Sequence, residues 1–289
     1  MLERIVIVGT GLIGSSIGLA LRSAGFRGSI IGVDTSVAEA TEAVRRSAVD
    51  RCVSSADAMQ LCRESDLIVL AVPVLGIMDW LIRLAPVLMP QQLVTDAGST
   101  KLAICDLARS AFNGEGQAAF LPGHPMAGKE LGGASLADQA LFANAMWLFT
   151  PLASETERMT EWRQWVARFG CRTLDLEPAR HDRICAWVSH LPQMVSTAMA
   201  AMLADEFAQA PELADEFAAI GGRALREMTR LGASPYSMWR DVAMTNTEPL
   251  AATIFALEQR LNHLRDNLKT PELREEFAKA NAFRLRQTT

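Results

Sequence analysis

The chain is short of the residues that metal and nucleic-acid chemistry most often use. Histidine occurs four times in 289 residues, and the five cysteines (Cys52, Cys62, Cys105, Cys171 and Cys185) form no CxxC or other metal-ligand spacing, so no metal site is expected. An odd cysteine count without a secretory leader fits reduced thiols in the cytoplasm, and the N-terminus runs straight into a strand pattern rather than a signal peptide. Clustered basic residues are absent and the formal charge is −5, which argues against a nucleic-acid partner. The most apolar stretch, Leu67 to Met78, is too short to span a bilayer and is broken by Pro73, so no membrane partner is expected either. There is no internal repeat or low-complexity tract. With 49% apolar and 21% charged residues, the chain has a globular profile and enough length for two domains.

Apolar runs at Ile5 to Val8, Ser29 to Val33, Leu67 to Val72, Gln92 to Thr95 and Ala119 to Leu121 read as strands buried on both faces. Helical spacing intervenes at Leu12 to Ala24, Ser36 to Arg46, Ile77 to Leu88 and Thr100 to Phe112. This alternation predicts a Rossmann-like, doubly wound parallel sheet. Trp147 to Thr150 and Cys171 to Leu174 extend that half. Helical periodicity then takes over (Arg180 to Phe207, Glu212 to Gly221, Arg223 to Leu231, Trp239 to Arg265, Pro271 to Ala282). The expected division is an α/β domain over 1–175 and an all-α domain over 176–289. Met194, Met199 and Met202 read as helix-packing core, and the long apolar helices suggest a homodimer.

Gly9-Thr-Gly11-Leu12-Ile13-Gly14 matches G-x-G-x-x-G between the first strand and first helix, and Asp34 closes the second strand. These are the contexts that a dinucleotide fingerprint needs. Gly9 permits the tight turn, Gly11 lets the backbone approach a pyrophosphate, and Gly14 allows close packing of helix on sheet. Asp34 can accept from an adenosine ribose and would repel a 2′-phosphate, favouring NAD over NADP; its plainer role is a helix cap beside Thr35 and Ser36. Val72 and Pro73 follow the third strand at the same edge. After the fourth come Gly98, which offers backbone freedom, and Ser99 and Thr100. Either hydroxyl suits a helix cap, and that of Ser99 equally suits a place near nicotinamide and substrate.

His124 lies in Leu121-Pro-Gly-His-Pro-Met-Ala-Gly128, too rich in Gly and Pro for a helix interior or a central strand. Taken alone, it reads as a loop histidine held by nearby backbone. The fifth strand brings it to the cofactor edge, where a neutral imidazole can take a hydroxyl proton as hydride leaves.

Val94-Thr-Asp-Ala-Gly-Ser-Thr-Lys101, Gly123-His-Pro-Met-Ala-Gly128 with Glu130, His181-Asp-Arg183, Ser189-His-Leu-Pro192, and Thr229-Arg-Leu-Gly-Ala-Ser-Pro235 with Met238-Trp239 occur in order. Together they resemble the prephenate/arogenate dehydrogenases of tyrosine biosynthesis, from Arg4 to at least Asp241. The resemblance implies NAD-dependent oxidative decarboxylation of prephenate to 4-hydroxyphenylpyruvate, or of arogenate to tyrosine, with tyrosine as an inhibitor. It implies that His124 accepts the 4-hydroxyl proton, that Ser99 is its hydrogen-bonding neighbour, and that Arg230 holds a substrate carboxylate. It also implies that His190, Asp182, Arg226, Glu130 and Glu227 form a supporting polar network, with Trp239 as a pocket wall. Many relatives have histidine where this chain has Gln193, which bears on side-chain recognition and tyrosine feedback. Lys129 lies where prephenate and arogenate enzymes differ, and its cation would favour the keto acid. Neither a mutase-like segment before the Rossmann unit nor a separate regulatory domain after Arg265 is expected. β-Hydroxyacid dehydrogenases and imine reductases share the two-part plan but use a helical-domain lysine, and none occurs between Lys129 and Lys269. A non-catalytic NAD-binding protein is the remaining alternative.

Overall fold

A computed structural model describes residues 1–112 and 116–287. Thr288 and Thr289, at the end of the expected helical domain, lie outside the described residues.

Six parallel strands form the first sheet: β1 (Arg4–Val8), β2 (Ser29–Val33), β3 (Arg51–Val53), β4 (Leu67–Leu70), β5 (Leu93–Asp96) and β6 (Ala119–Leu121), in the spatial order β3-β2-β1-β4-β5-β6. Strand order reverses between β1 and β4, where doubly wound folds bind their ligands. The register pairs Val8 with Val33 and Leu70, Leu70 with Asp96, and Thr95 with Leu121, so the carboxyl ends finish level. Alternation along β1 explains its all-apolar sequence. Ile5 and Ile7 enter a core with Ile17 and Leu21 of α1 (Leu12–Ser23), while Val6 and Val8 enter the opposite core with Ile77, Leu81 and Leu84 of α4 (Val74–Leu84). The helices α2 (Val37–Arg45), α3 (Ala58–Arg63) and α5 (Leu102–Ala111) complete this part.

The strands expected near 147–150 and 171–174 do not extend the first sheet. β8 (Met146–Phe149) pairs antiparallel with β7 (Gly123–Pro125) and parallel with β9 (Arg172–Asp175), forming a separate three-stranded sheet. β7 is an edge strand, which accommodates the proline of Gly-His-Pro. Between β8 and β9 runs α6 (Glu157–Arg168), a helix not expected from the sequence: Thr156 accepts from the Met159 amide, and Met159, Trp162 and Val166 are buried at helical spacing.

The rest of the chain is helical. α7 (Pro178–Cys185) passes through a π turn (Ala186–His190) into α8 (Leu191–Gln209), so the single helix expected from Arg180 to Phe207 carries a wide turn. Pro192 lacks the N–H that would close the preceding turn, which accounts for the widening. α9 (Ala214–Ile220), α10 (Arg223–Thr229), α11 (Tyr236–Thr245), α12 (Thr247–Asp266) and α13 (Glu272–Gln287) follow. The helix expected from Trp239 to Arg265 is thus two, starting earlier and divided at Asn246. Among the described residues no helix is long and apolar enough to cross a membrane.

Candidate active site

Three loops leave the carboxyl edge of the large sheet side by side. In the first, Gly9 has φ of +89°, and a Cβ there would meet the Ala71 carbonyl oxygen at 2.4 Å and Val72 Cγ1 at 2.8 Å. A Cβ on Gly14 would sit 1.9 Å from the Gly9 carbonyl oxygen. Gly11 differs, because an added Cβ meets nothing within 4 Å and the backbone faces open space. The first-turn amides of Leu12 and Ile13 have no side-chain cap and no acidic neighbour in that turn. An open backbone face at an uncapped helix N-terminus suits a pyrophosphate, so the cradle fits a dinucleotide. Asp34 accepts from the Thr10 amide at 2.7 Å, the Thr10 hydroxyl at 3.0 Å and the Ser36 amide at 2.8 Å, bracing the glycine loop. Ser36, rather than Asp34, caps α2. Val72 and Pro73 lead from β4 into α4 opposite Gly9.

The second loop is Asp96 to Lys101. Gly98 is buried, and a Cβ there would lie 2.9 Å from Asp96 Oδ2, Ile104 Cδ1 and Ile77 Cδ1. Its requirement is space, not the backbone freedom expected, and it lies inside the packing rather than along an open cradle. Asp96 is a hub. It accepts from the Gly98 amide at 2.8 Å and the Gly123 amide at 3.1 Å and pairs with the ammonium of Lys101, both side chains fully buried. One carboxylate therefore ties the Ser99 loop to the His124 strand. Neither Ser99 nor Thr100 caps α5. Thr100 bonds Thr245 at 2.7 Å, and Asp182, reaching over from α7, accepts from the Lys101 and Leu102 amides at 2.7 and 2.9 Å. The half-buried Ser99 hydroxyl is left without a protein hydrogen bond among the described residues.

The third loop brings His124 against α7. His181 Nδ1 lies 2.8 Å from Asp182 Oδ1, and His181 Nε2 lies 2.9 Å from His124 Nδ1. A carboxylate can only accept, so the tautomers follow in sequence. His181 donates from Nδ1 to Asp182, leaving a lone pair on Nε2. His124 donates from Nδ1 into that lone pair, which leaves its own Nε2 as a free acceptor. Among the described residues that nitrogen has no protein partner, and it is not sealed from the surface, although the residue is 7% exposed. Burial, then the His181, Lys101 and His190 charges, hold the His124 pKa well below its usual value. Burial also lowers that of His181, against the opposing bond to Asp182. Both rings are neutral at physiological pH.

His190, at the end of the π turn, is fully buried beside this pair. Asn246 Nδ2 donates to the Asp182 carbonyl at 2.9 Å and to His190 Nδ1 at 3.1 Å, so His190 carries its proton on Nε2. Burial lowers its pKa to about 4, against the Asp182 charge and the Ser99 backbone, and among the described residues Nε2 has no hydrogen-bond partner within bonding geometry. Trp239 packs edge-on against it, centroids 5.9 Å apart, and its indole N–H is likewise buried without a partner among the described residues. Each is a donor with capacity left for a ligand oxygen. Arg230, half-exposed after α10, pairs with Glu130 from the loop beyond β7, linking the two parts of the chain.

The N-terminal portion, residues 17–174, matches the family model for the nucleotide-binding domain of prephenate dehydrogenase, and residues 177–281 match the model for its dimerization domain. The chain belongs to the prephenate dehydrogenase family. It is 33% identical over 264 residues to the prephenate dehydrogenase of Lactococcus lactis, covering 91% of this chain and 70% of that one. The prephenate dehydrogenase of A. aeolicus, solved with hydroxyphenyl propionate and NAD+, superposes with a TM-score of 0.86 at 27% identity, covering 99% and 98% of the two chains. The Synechocystis arogenate dehydrogenase gives a TM-score of 0.75 at 30% identity, with coverage of 99% and 100%.

Not every residue expected at this family's site joins it. Arg226 and Glu227 are exposed on α10. Arg226 donates to the Gly221 carbonyl and Glu227 pairs with Arg223 one turn away, so helical spacing spends both locally. Lys129 is exposed and donates to the Leu136 carbonyl at 2.7 Å. Gln193 is buried, but its amide donates to Leu231 at 2.7 Å and Thr197 at 3.1 Å, holding the turn that carries Arg230 rather than facing His124. Two central residues had no role from sequence. His181 stood in a quoted motif beside Asp182, and only the fold shows that it bridges Asp182 to His124. Asn246 gave one signal, a polar residue interrupting a helical pattern.

Proposed function

We propose that the chain is an NAD-dependent dehydrogenase that oxidatively decarboxylates prephenate to 4-hydroxyphenylpyruvate. The observation that carries this is the Asp182–His181–His124 chain, which leaves one imidazole lone pair facing outward at the carboxyl edge of a nucleotide-binding sheet.

NAD+, held at Gly9 to Gly14 with Asp34 near the ribose, supplies the hydride acceptor. His124 Nε2 takes the proton of the ring hydroxyl while hydride leaves the carbon that bears it, and loss of the ring carboxylate as carbon dioxide makes the ring aromatic. As His124 gains a proton, His181 accepts a hydrogen bond from its Nδ1 and Asp182 stabilises the pair across one ring. The unpartnered Ser99 hydroxyl is free to bond the same substrate oxygen. His190 Nε2–H and Trp239 Nε1–H supply donors to substrate oxygens, and Arg230, exchanging Glu130 for substrate, holds a carboxylate. The domain boundary falls at residue 175, where β9 ends ahead of Pro178. The helical part, with exposed Trp187, Val188 and Phe255, pairs two copies into a cytoplasmic homodimer.

Steady-state assays with prephenate and arogenate, each with NAD+ and NADP+, test the reading. NADH formation from prephenate is expected; no turnover of either substrate refutes it. Turnover confined to arogenate moves the assignment to arogenate dehydrogenase.

A further inference from the structure

The relay uses two faces of His124 but leaves one neighbour unused. Cys185 lies one helical turn beyond His181 on α7, with Sγ 3.6 Å from His181 Nε2 and 4.0 Å from His124 Nδ1. The two nitrogens are 2.9 Å apart, and all three ligand atoms lie within 4.8 Å of one another. A tetrahedral zinc ion, with bonds of about 2.0–2.1 Å to nitrogen and 2.3 Å to sulfur, places its ligands about 3.3 Å (N to N) and 3.6 Å (N to S) apart. The cluster is within about half an ångström of that triangle on every edge.

We propose that His124, His181 and Cys185 form an inhibitory site for Zn2+ or a similar borderline-soft divalent cation, which silences the catalytic base by changing its tautomer.

The chemistry of the donors fits. Both imidazoles are neutral, as ligands must be, and a thiol is deprotonated when it coordinates. Asp182 accepts from the far nitrogen of His181, the carboxylate–histidine arrangement that orients zinc-bound imidazoles. Burial opposes coordination by pushing the Cys185 thiol up to about 12, so the ion itself must displace its proton. The nearby opposing charge is Lys101, whose ammonium is already paired with Asp96. Sequence spacing could not reveal this site, because His124 comes from β7 and the other two residues from α7.

The consequence for catalysis follows from proton bookkeeping. The metal takes the place of the proton between His124 Nδ1 and His181 Nε2. A neutral imidazole has one N–H, so with the metal on Nδ1 the His124 proton resides on Nε2. The Cys185 thiol proton leaves to solvent, one per metal bound. The lone pair that would accept the substrate proton is then gone, while the nucleotide cradle at Gly9 to Gly14 is untouched.

Titration of the metal-free protein with Co2+ tests the site without any turnover, so its outcome stands even if the proposed substrate is wrong. A thiolate-to-cobalt charge-transfer band saturating at one ion per chain is expected, abolished in Cys185→Ala and Cys185→Ser, and displaced by Zn2+. No such band, or a band unchanged in both variants, overturns the site. In the dehydrogenase assay, one equivalent of Zn2+ should lower kcat at least about tenfold, with KM for NAD+ unchanged and recovery on chelation. Cys185→Ala, normalised to its own metal-free rate, should need about 10- to 100-fold more Zn2+. Stoichiometric Zn2+ binding that leaves kcat unaltered refutes the tautomer mechanism.

Discussion

Replacing His181 with leucine removes the acceptor for His124 Nδ1–H while leaving the base in place. In the native arrangement that N–H is buried and bonded at 2.9 Å, which keeps the Nε2 lone pair directed outward. Without His181, the productive tautomer holds an unsatisfied buried donor, at a cost of about 1–3 kcal/mol. The opposite tautomer points its N–H to the open side and avoids that cost, but it is not a base. The productive form is depleted accordingly, so kcat should fall about 5- to 150-fold, with KM for NAD+ unchanged. A second readout separates this from general damage. Burial is the largest cause holding the His124 pKa down, and without the ring that accepts from its protonated form the pKa falls further, so the acidic limb of the kcat profile should move to lower pH. His181→Gln, which can offer a carbonyl oxygen, should recover part of the loss. Stopped or steady-state NADH production across pH measures all three. A kcat for His181→Leu within twofold of the parent, with an unmoved acidic limb, would refute the relay.

Arg230→Ala should raise KM for substrate roughly 10- to 150-fold with little change in kcat, the range expected for a charged hydrogen bond of about 1.5–3 kcal/mol; an unchanged KM removes Arg230 from the carboxylate site. Lys101→Met leaves the buried Asp96 carboxylate without its cation, and should destabilise the protein by about 3–5 kcal/mol. Calorimetry should register that as a Tm lower by roughly 6–20 °C. Stability should also fall on acidification. His190 has a folded pKa of about 4 against about 6.5 unfolded, so the unfolded chain binds the extra proton between those values. Its contribution is complete above pH 6.5 and about 3 kcal/mol of it is lost as pH drops to 4. His190→Gln should flatten Tm against pH over that interval, and an equally steep curve in the variant would refute the assignment.

How much was legible in advance differed between framework and site. The large sheet could be read because its strands are buried on both faces and announce themselves as apolar runs, as at Ile5 to Val8. β6 is legible at three residues because it reads Ala-Phe-Leu, whereas β3 (Arg-Cys-Val) and β7 (Gly-His-Pro) carry a charge or Gly and Pro in place of an apolar run. Gly98 shows the limit of reading glycine from sequence, since a requirement for space and one for backbone freedom look alike. Arg226 and Glu227 show it for charge, because any Arg or Glu near a site has solvent and its own helix as competing partners. A Gln at 193 announces a change of chemistry, but not that its amide would be spent on the Leu231 carbonyl.

The order of elements and the glycine fingerprint were enough to establish a dinucleotide edge and to deliver His124 to it. Those are properties of local periodicity and chain order, which a sequence carries directly. Tertiary structure alone decided which nitrogen of His124 faces outward. That choice depends on a carboxylate and a ring from α7 meeting β7 across 57 positions of chain, and on a carboxylate being able only to accept. The same meeting placed Cys185 against both rings, in a chain whose cysteine spacing showed no metal site. Hydrogen-bond direction and ligand geometry are set by distances between atoms, and those exist only once the chain has folded.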